Sequence, residues 1–174
     1  MPTKKNRHHH ERTIPRRIVA VHEATHAVVA VVLRRPLHRV TIEPRGEILG
    51  RTYPGARAFS RRSLEGDPRA GRAAEAEIVT LLAARAGELS AAWHGPSGGS
   101  NDRVSAEALA ARLCTTDAEW TALLSLSRIR AAQVVDRWWR QIREVAKALE
   151  QKNTLSGPAV RAIVRRTRRR RRRR

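Results

Sequence analysis

From Ile18 to Leu33 every residue is apolar except four: His22, Glu23, Thr25 and His26. A helix that is apolar all round must be buried on every side. Inside such a helix a carboxylate and two imidazoles are costly unless something satisfies them. Their H-E-x-x-H order suggests a metal ion. Residues four apart on a helix lie one turn above each other, so His22 and His26 direct ring nitrogens at one cation. Glu23 leaves the same turn and reaches a water in the metal's open position as general base. The plainer alternative is a pair of core histidines bonded to backbone. Pro15 suits the start of this helix, and Pro36, after Arg34 and Arg35, suits its end.

The 174 residues make one domain, or one domain with tails, able to bury a sizeable core. Net charge is +20, and it is uneven. Residues 165–174 are arginine except for Thr167, and residues 1–17 carry six basic side chains against Glu11. Without these two segments the body keeps roughly +6, and like-charge runs repel and stay disordered unless a polyanion neutralises them. This divides the chain into a basic disordered segment 1–13, a folded domain 14–164 and a disordered poly-arginine tail 165–174. Nucleic acid, anionic membrane or an acidic protein would each suit the tail, without sequence specificity. The lone Cys114 excludes an internal disulfide, fits the core and fits a cytoplasmic, reducing compartment. The longest strictly apolar run, Ala27 to Leu33, is far short of the roughly 20 residues that span a bilayer, so no transmembrane segment is expected, and no signal-peptide pattern occurs. The exposed run His8-His9-His10 binds metal at most adventitiously.

Beyond the motif helix, Arg39–Glu43 reads as a strand, Pro44-Arg45-Gly46 as a turn, and Ile48–Tyr53 as its partner strand. Residues 54–66 read as a loop. Asp67-Pro68 is a cap followed by proline at the first helical position, opening a helix to about Gly87 with Ala74, Ile78, Leu81 and Leu82 inward. After a loop over His94–Gly99, Ser100 or Asn101 caps a helix carrying Val104, Leu109 and Leu113, with Asp102 in its first turn. Thr116 and Glu119 form a capping box for a helix to about Gln151. Its apolar positions are Leu123, Leu124, Ile129, Val134, Trp138, Ile142, Val145 and Leu149, the tryptophan pair Trp138 and Trp139 serving packing rather than base stacking. Ser156-Gly157-Pro158 begins a last short helix. The fold class is mainly α with a small β-sheet after the H-E-x-x-H helix.

With these pieces in order, Ile18–Val164 resembles the protease domain of the FtsH-type zinc metalloproteases, which are ATP-dependent. The family's V-A-x-H-E-A-G-H-A-x-V-A helix is matched by Val19–Ala30, with Thr25 in place of the glycine. Its V-T-I-x-P-R-G-x-x-L-G segment is matched by Val40–Gly50, its T-G-A-S-N-D segment by Ser97–Asp102, and its L-x-x-x-x-T-L-x-G stretch by Leu149–Gly157. Its G-G-R-x-A-E-E segment is kept in part as Ala83–Leu89, without the second glutamate. The resemblance implies Zn2+ held by His22, His26 and Asp102, with Glu23 activating the fourth-site water for attack on a peptide carbonyl. Glu88, aligned with the family's acidic helix position, and His94 rank behind Asp102 as third ligand. The strand Val40–Glu43 is the expected partner of an extended substrate.

No G-x-x-x-x-G-K-[ST] phosphate loop occurs in these residues, so ATP hydrolysis does not carry over. The leading expectation is a stand-alone zinc metalloendopeptidase acting on unfolded or flexible protein, with room for a separate ATPase partner. Two alternatives remain at this point. One is a basic adaptor or nucleic-acid-associated protein that retains the fold. The other is an H-E-x-x-H peptidase of another kind, whose third ligand is not Asp102.

Overall fold

Helix α1, Arg16–Val32, runs through the middle of the molecule, as its all-round apolar sequence requires. The computed structural model of the chain describes residues 14–46, 48–54, 64 and 67–172; the expected N-terminal segment 1–13, most of the loop 54–66 and the last two arginines lie outside these. Among the described residues the named elements run in the order α1, β1 (Leu37–Thr41), β2 (Arg51–Pro54), α2 (Pro68–Ser90), α3 (Ser100–Ala110), α4 (Asp117–Lys152), β3 (Thr154–Ser156) and α5 (Gly157–Arg172). The fold is mainly α with a small antiparallel sheet. Ala20, Ala24 and Ala27 are fully buried, and these short side chains let neighbouring elements approach α1 closely. Val28, Val40, Ile142, Val145, Leu149 and Val160 join them in the main core. A second core, with Ala74, Ile78, Ala106, Leu109 and Leu124, ties α2, α3 and α4 together.

Local signals set most helix starts. The Asp67 side chain accepts from the Arg69 amide at 2.8 Å, with Pro68 opening α2. The Thr116–Glu119 box is complete at the start of α4. Gly99, not Ser100 or Asn101, occupies the cap of α3. Strand β1 begins at Leu37, two residues before the expected Arg39, and β2 is confined to Arg51–Pro54 because Ile48 closes the Pro44–Gly46 turn on Arg45. Strand order is β2-β1-β3, with Val40 opposite both Thr52 and Leu155. The three-residue β3 was not expected, being too short to show alternation.

Val104 and Ile129 face solvent, 58% and 57% exposed, against their expected burial. On α4 the buried stripe passes through Leu124, Ser127, Ala131, Val135, Ile142, Val145 and Leu149, so Ile129 falls on the outer side and Ser127 takes the inner turn. Cys114 is only partly buried, at the rim rather than in the core. The arginine-rich end also departs from its expected disorder, since α5 continues to Arg172. Arginine is a good helix former, and the same helical phase that buries Val160 and Val164 buries Thr167 and sets the Arg168 guanidinium 5.9 Å from the Trp138 ring. Among the described residues no helix is long and apolar enough to cross a membrane.

Candidate active site

His22 and His26 leave α1 one turn apart, and the start of α3 brings Asp102 against both. Three distances close the triangle. His22 Nε2 and His26 Nε2 are 3.2 Å apart, and Asp102 Oδ2 lies 3.2 Å from the first and 3.1 Å from the second. The outer nitrogens are held from behind. His22 Nδ1 donates to Glu88 Oε1 at 2.8 Å, and His26 Nδ1 donates to the Thr80 carbonyl at 2.8 Å. These bonds place the proton of each neutral imidazole on Nδ1, leaving two Nε2 lone pairs and a carboxylate oxygen aimed at one point. Such a donor set repels itself unless a cation sits among its members. Tetrahedral zinc with bonds of about 2.0–2.2 Å requires ligand–ligand edges of about 3.3–3.5 Å, so side chains already at 3.1–3.2 Å need open by only tenths of an ångström. Among the described residues this is the one cluster of three metal-ligating side chains.

Glu88 is fully buried, yet each oxygen is satisfied: Ser97 Oγ donates to Oε1 at 2.9 Å and Arg85 to Oε2 at 2.9 Å. It therefore backs His22 instead of replacing Asp102. His94 is exposed and takes no part in the cluster.

The same contacts set the proton affinities. Burial alone would push His22 down, but hydrogen bonds to Asp102 and Glu88, with the nearby Glu23 charge, raise it from 6.5 to about 10. Burial alone would raise Asp102, yet its bonds to His22 and His26 hold it well below the usual carboxylate range. Hence, in protein stripped of metal, the His22–carboxylate attraction stabilises the fold fully below pH 6.5 and fades as pH rises through about 10; Asp102's part of it fades in acid. A metal must displace the second His22 proton. Zinc binding near pH 7.5 should therefore release about one proton, with apparent affinity rising about tenfold per pH unit between 6.5 and 8.5. Calorimetry in buffers of different ionisation enthalpy checks this; pH-independent affinity would contradict it.

Glu23 is buried beside the triangle, and its Oε2 accepts from Thr52 Oγ1 of β2 at 2.8 Å. Burial raises its pKa above the ordinary glutamate range, against the lowering influence of His26, His22 and Thr52. Gly50 makes room for it: a Cβ there would come within 2.8 Å of Glu23 Cγ and 3.0 Å of Oε1. The cleft over these groups, about 730 Å³, follows one face of α1 through Val19, His22, His26 and Ala30, with β2 on one side. Strand β1 cannot pair with substrate, contrary to expectation, because Arg39–Thr41 already have a strand on each side. Of the two edge strands, β2 and β3, it is β2 that lines the cleft.

The structure thus gathers His22, Glu23, His26, Asp102 and Glu88 and leaves His94 out. Thr52 and Thr80 did not stand out in the sequence, whereas Arg85 and Ser97 lie in the family-like segments Ala83–Leu89 and Ser97–Asp102 without a role being read for either. Thr52 lies two residues beyond the Leu49-Gly50 end of a family-like segment, the one signal that pointed near it. No curated protein matches the chain. The sequence model of peptidase family M41 matches residues 10–116, over half of the chain. That span holds α1, the β1–β2 segment and the α3 residue that closes the triangle, and the chain belongs to peptidase family M41, with an FtsH-type protease domain.

Proposed function

We propose that this chain is a zinc-dependent endopeptidase whose metal is held by His22, His26 and Asp102 and whose general base is Glu23. The observation that carries the reading is the convergence of three lone-pair donors on one point in a cleft that also holds a buried carboxylate of raised pKa. When bound, zinc supplies Lewis-acid polarisation of water and of the scissile carbonyl. Glu23 takes the proton of the attacking water on its carboxylate and returns it to the departing amine, a task suited to a proton affinity above that of a free glutamate. Thr52 fixes the carboxylate for this transfer. Glu88 and the Thr80 carbonyl hold the Nδ1 side of each imidazole, so that Nε2 is the nitrogen turned to the metal. Substrate backbone lies along β2, the outer strand beside Glu23, so the segment cut must be extended. That favours unfolded or flexible protein, supplied freely or by a separate ATPase.

Glu23→Gln keeps shape but removes the base. Cleavage of an unstructured protein should fall about 10²–10⁴-fold with zinc content unchanged. Undiminished cleavage in a zinc-loaded variant would reject Glu23 as base.

A contact with polyanions, unspecific in sequence, is the second part of the reading, favoured by the solvent-facing Arg165, Arg166, Arg168 and Arg169 on α5. Deleting residues 170–174 spares the buried Thr167 and the Arg168–Trp138 contact. It should flatten the log–log salt dependence of DNA binding by up to roughly 0.9 per arginine removed. Equal slopes for full-length and truncated protein would show that residues 170–174 are not part of the contact.

A further inference from the structure

At the C-terminal end of α1 the catalytic cleft reaches Arg35 and Pro36, and the same two residues wall a second recess, completed by Val31, Arg34, Ala73 and Arg161. Among the described residues no acidic side chain lines this recess. Arg35 Nε is bonded to Glu77 Oε2 at 3.0 Å in the wall between the two spaces. Arg34 and Arg161 form no ion pair among the described residues. The basic recess therefore adjoins the cleft, with Arg35 and Pro36 as a shared wall.

The backbone at Arg34 is unusual for its residue type. Leu33 caps α1, the Arg34 amide bonds to the Val31 carbonyl at 3.2 Å, and the Arg35 amide bonds to the Ala30 carbonyl at 2.7 Å. This is the paired ending in which glycine normally takes the left-handed position. Arg34 takes it instead, with φ 57°. An arginine there costs conformational energy that glycine would not, and such costs gather where a side chain has work to do.

We infer that Arg34 and Arg161 form a subsite for a substrate carboxylate, an acidic side chain or a C-terminus, at a set distance from the scissile bond. The inference rests on the peptidase reading above. The forked guanidinium geometry suits a carboxylate. From His26 to Arg34 is about 12 Å at 1.5 Å per residue, which an extended chain covers in about three to four residues at 3.3 Å each. Cleavage is thus expected to favour sequences with a carboxylate three or four residues from the cut.

The test uses the full chain loaded with zinc. Wild-type protein cleaves uncharged, unstructured peptides to map the scissile bond; the Glu23→Gln variant then binds the same peptides with Asp or Asn placed at each position in turn. One position should bind Asp about tenfold tighter than Asn, the scale of a charge-assisted hydrogen bond in a partly wet site. Arg34→Gly and Arg161→Gln should each bring that ratio towards one. Glycine suits the backbone at 34, so Arg34→Gly should melt no lower than wild type, which separates loss of the subsite from loss of the fold. Peptides ending at the favoured position as free acid or amide distinguish a C-terminal carboxylate from a side chain. Equal binding of Asp and Asn everywhere, or a preference that survives both substitutions, overturns the subsite. So does a DNA oligonucleotide whose binding Arg34→Gly abolishes while no Asp preference exists. An Asp preference in a chain that cuts no peptide supports the subsite and counts against the peptidase reading instead.

Discussion

Asp102→Ala is expected to weaken zinc binding more than any other substitution outside α1 and to abolish peptide hydrolysis with it. Asp102 Oδ2 touches both Nε2 atoms, so its loss removes one corner of the triangle. Glu88 acts at one remove, on the far nitrogen of His22. Glu88→Ala should therefore cost about 10–100-fold in metal affinity, the range for a partner behind a ligand. His94→Ala should cost nothing, since that side chain is exposed and outside the cluster. Competition with a chelating dye ranks the three. If Glu88→Ala or His94→Ala weakens zinc more than Asp102→Ala, the ligand assignment is wrong.

Gly87→Ala should be among the most damaging single changes away from the metal. A Cβ at position 87 would come 2.2 Å from Thr25 Oγ1 and 3.1 Å from Thr25 Cβ, with both residues inside the α1–α2 contact. Overpacking of this kind costs about 1–3 kcal/mol, and the upper part of the range applies because two packed helices must separate. Where the family pattern has glycine at 25 and alanine at 87, this chain has threonine and glycine; the bulk has moved from one helix to the other. Thr25→Gly together with Gly87→Ala should thus recover most of the lost stability, since the helix-propensity gain of about 1 kcal/mol at 87 exceeds the loss of a few tenths at 25. Thermal unfolding of the single and double variants decides the matter. A double variant no more stable than Gly87→Ala would show that the two positions do not compensate.

How much of this was legible depends on how local each signal is. The burial of α1 followed from its composition alone, and the starts of α2 and α4 followed from Asp67-Pro68 and Thr116–Glu119, whose hydrogen bonds are made within a few residues. The gathering of His22, His26 and Asp102 was anticipated in two steps: the histidines from helical spacing, the aspartate only from likeness to a family segment. No spacing rule ties residue 102 to residue 22 across the fold. The same reason hid Thr52, Thr80 and Ser97, which act through contacts between distant segments. It also hid β3, whose pairing makes β1 a central strand. The misplaced Ile129 is an error of another sort: apolar character stood in for helical phase, and a serine occupied the inner turn.

The compensation of Thr25 by Gly87 bears on the site as well as on stability. Thr25 lies between the two histidines, and its hydroxyl bonds back to the Val21 carbonyl at 2.7 Å. Gly87 precedes Glu88, which holds His22. The helix contact that accommodates the threonine therefore also sets the depth at which Glu88 meets the imidazole, so packing and proton placement are fixed by one pair of facing residues.

Anomalous X-ray scattering on either side of the zinc edge, from crystals of the zinc-loaded chain, locates the metal among these side chains. A single strong peak is expected within bonding distance of His22 Nε2, His26 Nε2 and Asp102 Oδ2, with Glu88 still on His22 Nδ1 and Glu23 beside the open position. A peak ligated by Glu88 or His94 in place of Asp102, or no peak between the two imidazoles, would contradict the ligand assignment.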